Sequence, residues 1–414
     1  MIAAFIGCLT TLLFVNISCS TINIENMIEP KKVLMKNIAN QNVTWKVCKL
    51  GCEFHNPITA WEKAKKSNFL NGLSIKIKIE NGIYNVDDQF ITSASNTSNV
   101  IIVGNIEDES KVILNFTRTK GNNGNGFAAF NGGIIGLIDG VTIQQPTDGT
   151  GAMASTNASG LHTWNEQSYG AGVWSYGSGS NISLGRHVTV KNFYYGISAQ
   201  SNGSIDAQGG GIHVLSSGDI NIVAAGGGVI VCTPCYANDA SDITHPDKGV
   251  FGANFDAERG GTLYVDGSHG TKAYVAGAIA QSGGAAWFHN MTLIGEKSGN
   301  GFNIILGGAA ELTGSDVSNF GIGVNVNGGN AMLDNLISHE NTGDGIVADG
   351  GRISGSNVSA QHNGGFGIHA LHNGNVTIFK SLTKIFANKA GNAASDTSGE
   401  KNGFHHEASS VFID

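Results

Sequence analysis

GFNIILGGAA (residues 301–310), GVNVNGGNAM (323–332), GIVADGGRIS (345–354) and GIHALHNGNV (367–376) are near-copies of one phrase, opened at equal intervals by Gly301, Gly323, Gly345 and Gly367. Asparagine keeps the same interval at Asn319, Asn341 and Asn363, each shortly ahead of Gly323, Gly345 and Gly367. A short fixed period marks a repeat architecture, in which each unit stacks on its neighbours to bury an apolar face. Helical repeats need more than about 30 residues and good helix formers. These segments are instead rich in Gly, Asn and Val and lack a helical period. Three short strands with tight turns fill one such interval, so the fold expected is all-β, a solenoid of strands. About 13 or 14 rungs spaced about 4.8 Å apart make a rod about 65 Å long. Equivalent residues then stack: Asn319, Asn341 and Asn363 are expected to form an amide ladder, and the recurrent glycines to supply positive φ.

The pattern extends upstream, less regularly. GVWSYGSGS from Gly172 and GISAQSNGS from Gly196 repeat the phrase, and FDAERGGTLYV (255–265) and AIAQSGGAAWF (278–288) are looser copies. Before the repeats, Asn56 and Pro57 suit the N-cap and first position of a helix. Ile58, Trp61, Ala64 and Phe69 then recur on one helical face. Leu73, Ile75, Ile77 and Ile79 alternate with polar residues, the pattern of a half-buried strand, and Asn81-Gly82 turns it.

The helix near 56–70, the phrase IKIKIENGIYNV (75–86), SNVIIVGN (98–105) and the rungs to about residue 390 resemble the right-handed parallel β-helix of the pectin lyase-like superfamily, in its Gly-rich, tailspike-like branch. That resemblance implies an amphipathic helix capping the N-terminal end of the coil. It also implies a carbohydrate partner, because most superfamily members bind, cleave or epimerise acidic polysaccharides. The carboxylate signatures of pectinesterases and polygalacturonases and the Arg-x-Pro-x-x-Arg pattern of pectate lyases are missing from the sequence.

Composition agrees with an exported, turn-rich rod. The 414 residues include 60 Gly, 5 Pro and only 14% charged residues, with net charge −8. An acidic chain gains nothing from counterion release, which argues against a nucleic-acid partner. Ile2 to Val15 form one apolar run, too short to span a bilayer comfortably, followed by small residues around Cys19. Residues 1–20 therefore read as a signal peptide, with acylation of Cys19 or retention of the segment as alternatives. Residues 21–47 read as a linker, and 48–414 as a single β-helix domain with a loop insertion near 232–249. Cys48 with Cys52, and Cys232 with Cys235, read as two local disulfides, against free thiols or a four-thiolate zinc site.

Chemistry is expected where the rhythm breaks, since a solenoid's sites form on projecting loops. Residues 232–249 carry Asp239, Asp242, His245, Asp247 and Lys248; Asp256, Glu258, Arg259, Asp266, His269 and Lys272 follow. Asp256 and Glu258 are two apart and face the same way on a strand. The catalytic set expected is Asp256 as base or nucleophile, Glu258 as acid and Arg259 as charge neutraliser, in a polysaccharide lyase or glycoside hydrolase. No cofactor is required; calcium on the Asp residues is the alternative, and a solvated polar loop is a third. His339, Glu340 and His362 form a second strip for sugar hydroxyls, or simply polar turns. Trp164, Tyr169, Trp174, Tyr176, Tyr194 and Tyr195 gather aromatics suited to sugar stacking or to filling the coil. The alternative to an enzyme is a non-catalytic adhesin or phage-derived tail-fibre-like protein, with a homotrimer as its candidate assembly, secreted or at the cell surface and binding a glycan.

Overall fold

The computed structural model describes residues 42–67, 73–117, 124–147, 153–156, 162–164, 170–241, 252–379, 383–395 and 410–413. Residues 1–20, expected to be a signal peptide, and most of the expected linker lie outside them. The chain winds as a right-handed parallel β-helix. Each complete rung contributes one strand to each of three sheets, of 14, 12 and 12 strands. The first sheet runs from Val43–Val47 to Ser410–Ile413, the second from Gly82–Val86 to Lys384–Phe386, and the third from Phe90–Thr92 to Gly391–Ser395. All ladders of these three sheets are parallel; the only antiparallel pair of strands among the described residues is Met153–Thr156 with His162–Trp164.

The register explains how short strands hold together. Ile182, Ile205, Ile230, Leu263, Ala286, Ala310, Ala331, Ile353, Val376 and Val411 stack in one column through the coil. Each is buried. No single rung removes enough apolar surface to offset its own ordering entropy, so the column makes the rungs interdependent. At the N-terminal end the helix Pro57–Lys65 is capped by Asn56, whose Oδ1 accepts from Ile58 N at 2.8 Å. It buries Pro57, Ala60, Trp61 and Ala64. Trp61 packs 5.9 Å from Phe90, and its Nε1 donates to Ile91 O at 3.3 Å. The helix is about one turn shorter than the sequence suggests; Ile58 is only partly buried, and Phe69 lies outside the described residues.

Four local expectations change. Val43–Val47, read as linker, pairs in full register with Ile75–Ile79, because alternating Val43, Trp45 and Val47 supply an inward face. The expected insertion from residue 232 is partly coil: Cys235–Ala240 is a second-sheet strand between Ile212–Leu215 and His269–Ala273. Cys232–Cys235 and Cys48–Cys52 are each bonded, the former fully buried at the corner between sheets. Third, Gly301, Gly323, Gly345 and Gly367 are not the positive-φ residues; Gly307, Gly328 and Gly350 are. The recurrent four leave room instead. A Cβ on Gly345 would lie 2.6 Å from Asn363 Nδ2 and 2.8 Å from Gly367 O. Fourth, the amide ladder is Asn341–Asn363–Asn388, with Asn341 Nδ2 donating to Asn363 Oδ1 and Asn363 Nδ2 to Asn388 Oδ1, each at 2.9 Å. Asn319 is not in it. Ser318 pairs with His339, one position short of the glycine interval, so buried Phe320 takes the ladder slot below Asn341.

Candidate functional site

The strand Ala253–Glu258 (ANFDAE) lies in the third sheet. Phe255 and Ala257 point into the coil and are fully buried. Strand alternation therefore turns Asp256 and Glu258 to the outer face. An outward carboxylate on a solenoid is ordinarily solvated, but Asp256 is only 1% exposed. Its neighbours in register, Val223 and Ile279, are buried apolar residues on the same face. They belong to a second small apolar cluster with Ile220, Ala225, Ala253 and Ala276, packed outside the main core.

This cluster floors a cavity of about 700 Å³. Its polar wall comes from five successive third-sheet strands: Trp174, then Tyr195, Ser198 and Gln200, then Asp219 just ahead of Ile220–Ala225, then Asp256, Glu258 and Arg259, then Gln281. Gln281 Nε2 donates to Asp256 Oδ2 at 2.8 Å, while Asp256 Oδ1 is buried with no hydrogen-bond partner. Burial above all, and then the charge of Glu258, push the Asp256 pKa well above the usual carboxylate range; the Gln281 bond opposes them with smaller effect. Arg259 Nε stands 3.8 Å from Glu258 Oε2, with three quarters of its side chain exposed. Burial and the adjacent Asp219 carboxylate raise the Tyr195 pKa, and the Tyr195 hydroxyl is hydrogen-bonded to Asp219. Tyr194 meets the Tyr195 ring edge-on at 5.0 Å.

The cavity thus brings together Asp256, Glu258 and Arg259 with Trp174, Tyr194 and Tyr195, aromatics from much earlier in the chain. It excludes other members of the same sequence cluster. Asp266 ends a first-sheet strand and accepts from Asn290 Nδ2 at 2.8 Å. His269 belongs to the second sheet, where its ring stacks on Tyr236 at 5.3 Å. Asp239 accepts from Ser216 Oγ at 3.0 Å on that sheet. One rung wraps all three faces, so residues close in sequence separate in space. Asp242, His245, Asp247, Lys248 and Tyr169 lie outside the described residues, as does the side chain of Trp164. Asp219, Gln200 and Gln281 escaped sequence reasoning. The signal for the two glutamines is the register alone: Gln200, Ala225, Glu258 and Gln281 are successive steps of one column.

His339, Glu340 and His362 do stack on adjacent rungs, with His339 opposite Gln361. His339 Nε2 lies 3.0 Å from Asp316 Oδ1 and its Nδ1 3.8 Å from Glu340 Oε2. His362 sits edge-on to Phe386. None of the three lines the Asp256 cavity.

A parallel β-helix with an acidic cavity on one flank is the class that fold and site define. No family model matches the chain, and no curated protein matches it. Among solved structures it is similar to the N-terminal fragment of gene product 12 of bacteriophage phi29, at 10% identity over 82% of this chain and 63% of that one, TM-score 0.52. The pre-mature form of the same phage protein matches at 12% identity over 82% and 53%, TM-score 0.50. The A-module of mannuronan C-5 epimerase AlgE4 from Azotobacter vinelandii matches at 13% identity over 79% and 90%, TM-score 0.48. At these identities the likeness is one of fold. The chain spans less than two thirds of both phage chains.

Proposed function

We propose that this protein is a glycoside hydrolase acting on a polysaccharide, with Asp256 as general acid. The observation that carries the reading is the buried carboxyl with a partnerless oxygen, on a cavity wall that it shares with Glu258. Two carboxyls in environments that separate their pKa values divide acid from base work. Asp256, favoured in its neutral form, gives its proton to the glycosidic oxygen as the C–O bond breaks. Glu258 directs the attacking water or itself bonds the anomeric carbon, according to the separation of the two carboxyls with substrate bound. This exchanges the roles expected from sequence, because burial falls on Asp256 and not on Glu258.

A lyase fits the cavity less well. It needs a cation to neutralise the uronate and a base to take the α-proton. Among the described lining residues Arg259 is the sole cation, mostly exposed and already beside Glu258. Burial shifts the most buried carboxyl toward its protonated form, which is no base. Export belongs to the same proposal, since residues 1–20 read as a signal peptide.

The test is incubation with a panel of neutral and uronate polysaccharides. New reducing ends without unsaturated uronate absorbance are expected, with a rate that falls as pH rises through the elevated Asp256 pKa. Asp256→Asn is expected to lose about 10²–10⁴-fold in rate. Unsaturated product would establish a lyase. Glycan capture without any cleavage would establish the non-catalytic fibre or adhesin.

A further inference from the structure

Asp256 has a counterpart three strands away in its register column. Trp174, Ser198, Val223 and Asp256 are register partners on four successive third-sheet strands. Three interstrand steps place Trp174 about 14 Å from Asp256 along the rod. Trp174 Nε1, like Asp256 Oδ1, is buried without a hydrogen-bond partner, and both residues line the cavity. Such groups are rare in folded proteins, and each asks for an explanation. Between them run Ser198, whose Oγ accepts from Gln200 Nε2 at 2.9 Å, and the buried Val223. The Trp174 ring is held edge-on against Phe130 at 4.9 Å and Tyr176 at 5.5 Å.

An indole N–H only donates, so its missing partner is an acceptor oxygen. A carboxylic acid such as Asp256 donates and accepts, which suits a hydroxyl or a bridging ether oxygen. Two carboxyls besides Asp256, those of Asp219 and Glu258, face the cavity, and Arg259 is the single cation among its described lining residues. An anionic sugar would enter against that field. We infer that the cavity takes an uncharged oligosaccharide lying across successive rungs, with Trp174 as the specificity-determining residue at its far end. This rests on the hydrolase reading of the cavity and adds to it the charge class, direction and reach of the substrate.

The test uses the full chain carrying Asp256→Asn, so that ligands bind without turnover. Neutral glucan hexasaccharide, glucan disaccharide and a hexauronate are titrated by calorimetry, with and without Trp174→Phe. The neutral hexasaccharide is expected to bind at least about 10-fold more tightly than the hexauronate. Trp174→Phe keeps the aromatic packing and removes the donor. It is expected to weaken the hexasaccharide by about 10-fold, the worth of one hydrogen bond, and to leave the disaccharide unchanged. If Trp174→Phe does not fold, the indole N–H resonance of Trp174 replaces it. That signal is expected to shift with the hexasaccharide and not with the disaccharide. Equal or tighter hexauronate binding, equal loss for both neutral lengths, no loss at all, a static indole signal or no binding of any sugar would each overturn the inference. Length-dependent binding with no cleavage by the unmutated chain would instead sink only the hydrolase reading.

Discussion

Asp256 holds its proton in the folded chain at pH values where an exposed aspartate has lost it, because burial and Glu258 both disfavour the charged form. Its folded pKa is therefore above its unfolded one. Between the two, the native state binds more protons than the unfolded state, so stability falls as pH rises through that window. Each unit of elevation is worth about 1.4 kcal/mol. Asp256→Asn keeps the shape and removes the ionisation. It is expected to raise the denaturation midpoint at pH 7 while losing the proposed hydrolysis, and to give no gain near pH 3.8, the ordinary value for the group. Urea melts at both pH values check it; a destabilised variant at pH 7 would mean that the carboxylate is favoured where it sits. Sequence reasoning picked Asp256 and Glu258 from their alternate positions on one strand. It had no means of seeing that Val223 and Ile279, one rung away on each side, make the environment of Asp256 apolar.

At the scale of the rung, glycines serve two separable needs. Gly345 lies where a Cβ would press on the Asn363 amide and the Gly367 carbonyl, both parts of the next rung. Gly307 has φ +76 and open space around its Cβ position. Alanine at Gly307 costs only the left-handed backbone, about 1–2 kcal/mol. Alanine at Gly345 must displace the amide ladder and is expected to cost more, about 2–4 kcal/mol. Asn363→Ala removes the acceptor of Asn341 Nδ2 and the donor to Asn388 Oδ1, and is expected to fall in the same range as Gly345→Ala. Chemical denaturation of the three variants orders them; a Gly307 variant less stable than the other two would refute the assignment. The glycine beat revealed the rungs because turns repeat. It misplaced Asn319 because Ser318 pairs with His339, one position short of the interval that the glycines keep, and a count along the chain hides that slip.

Across the whole molecule, Asp256 and Asp139 push stability in the same direction. Asp139 ends the first-sheet strand Ile134–Asp139, its Oδ1 is buried without a partner, and burial raises its pKa. The two lie on different sheets and share no hydrogen-bond partner. Asn at both positions is expected to give the sum of the single gains within about 0.5 kcal/mol at pH 7. It is also expected to flatten the fall in stability above the ordinary carboxylate range. Tyr195 and Tyr84, both raised, add a further decline only above about pH 10. Thermal melts of the single and double variants from pH 4 to 9 measure the carboxylate part, and a slope unchanged by both substitutions would assign it to other groups.

The sequence by itself determined the solenoid. Periodic glycine, alternating apolar residues and the helix opening at Asn56 are local signals, and local signals suffice where every unit is built alike. It also located Asp256, Glu258 and Arg259, and Trp174, Tyr194 and Tyr195, as two unrelated clusters. Only the tertiary structure decided that these are one cavity and that Asp266 and His269 are not in it. The physical reason is the winding. A rung carries neighbours in sequence to three different faces, whereas the ladders bring residues a full rung apart to within one interstrand spacing. Burial of Asp256, on which the proposed exchange of acid and base roles rests, follows from that stacking.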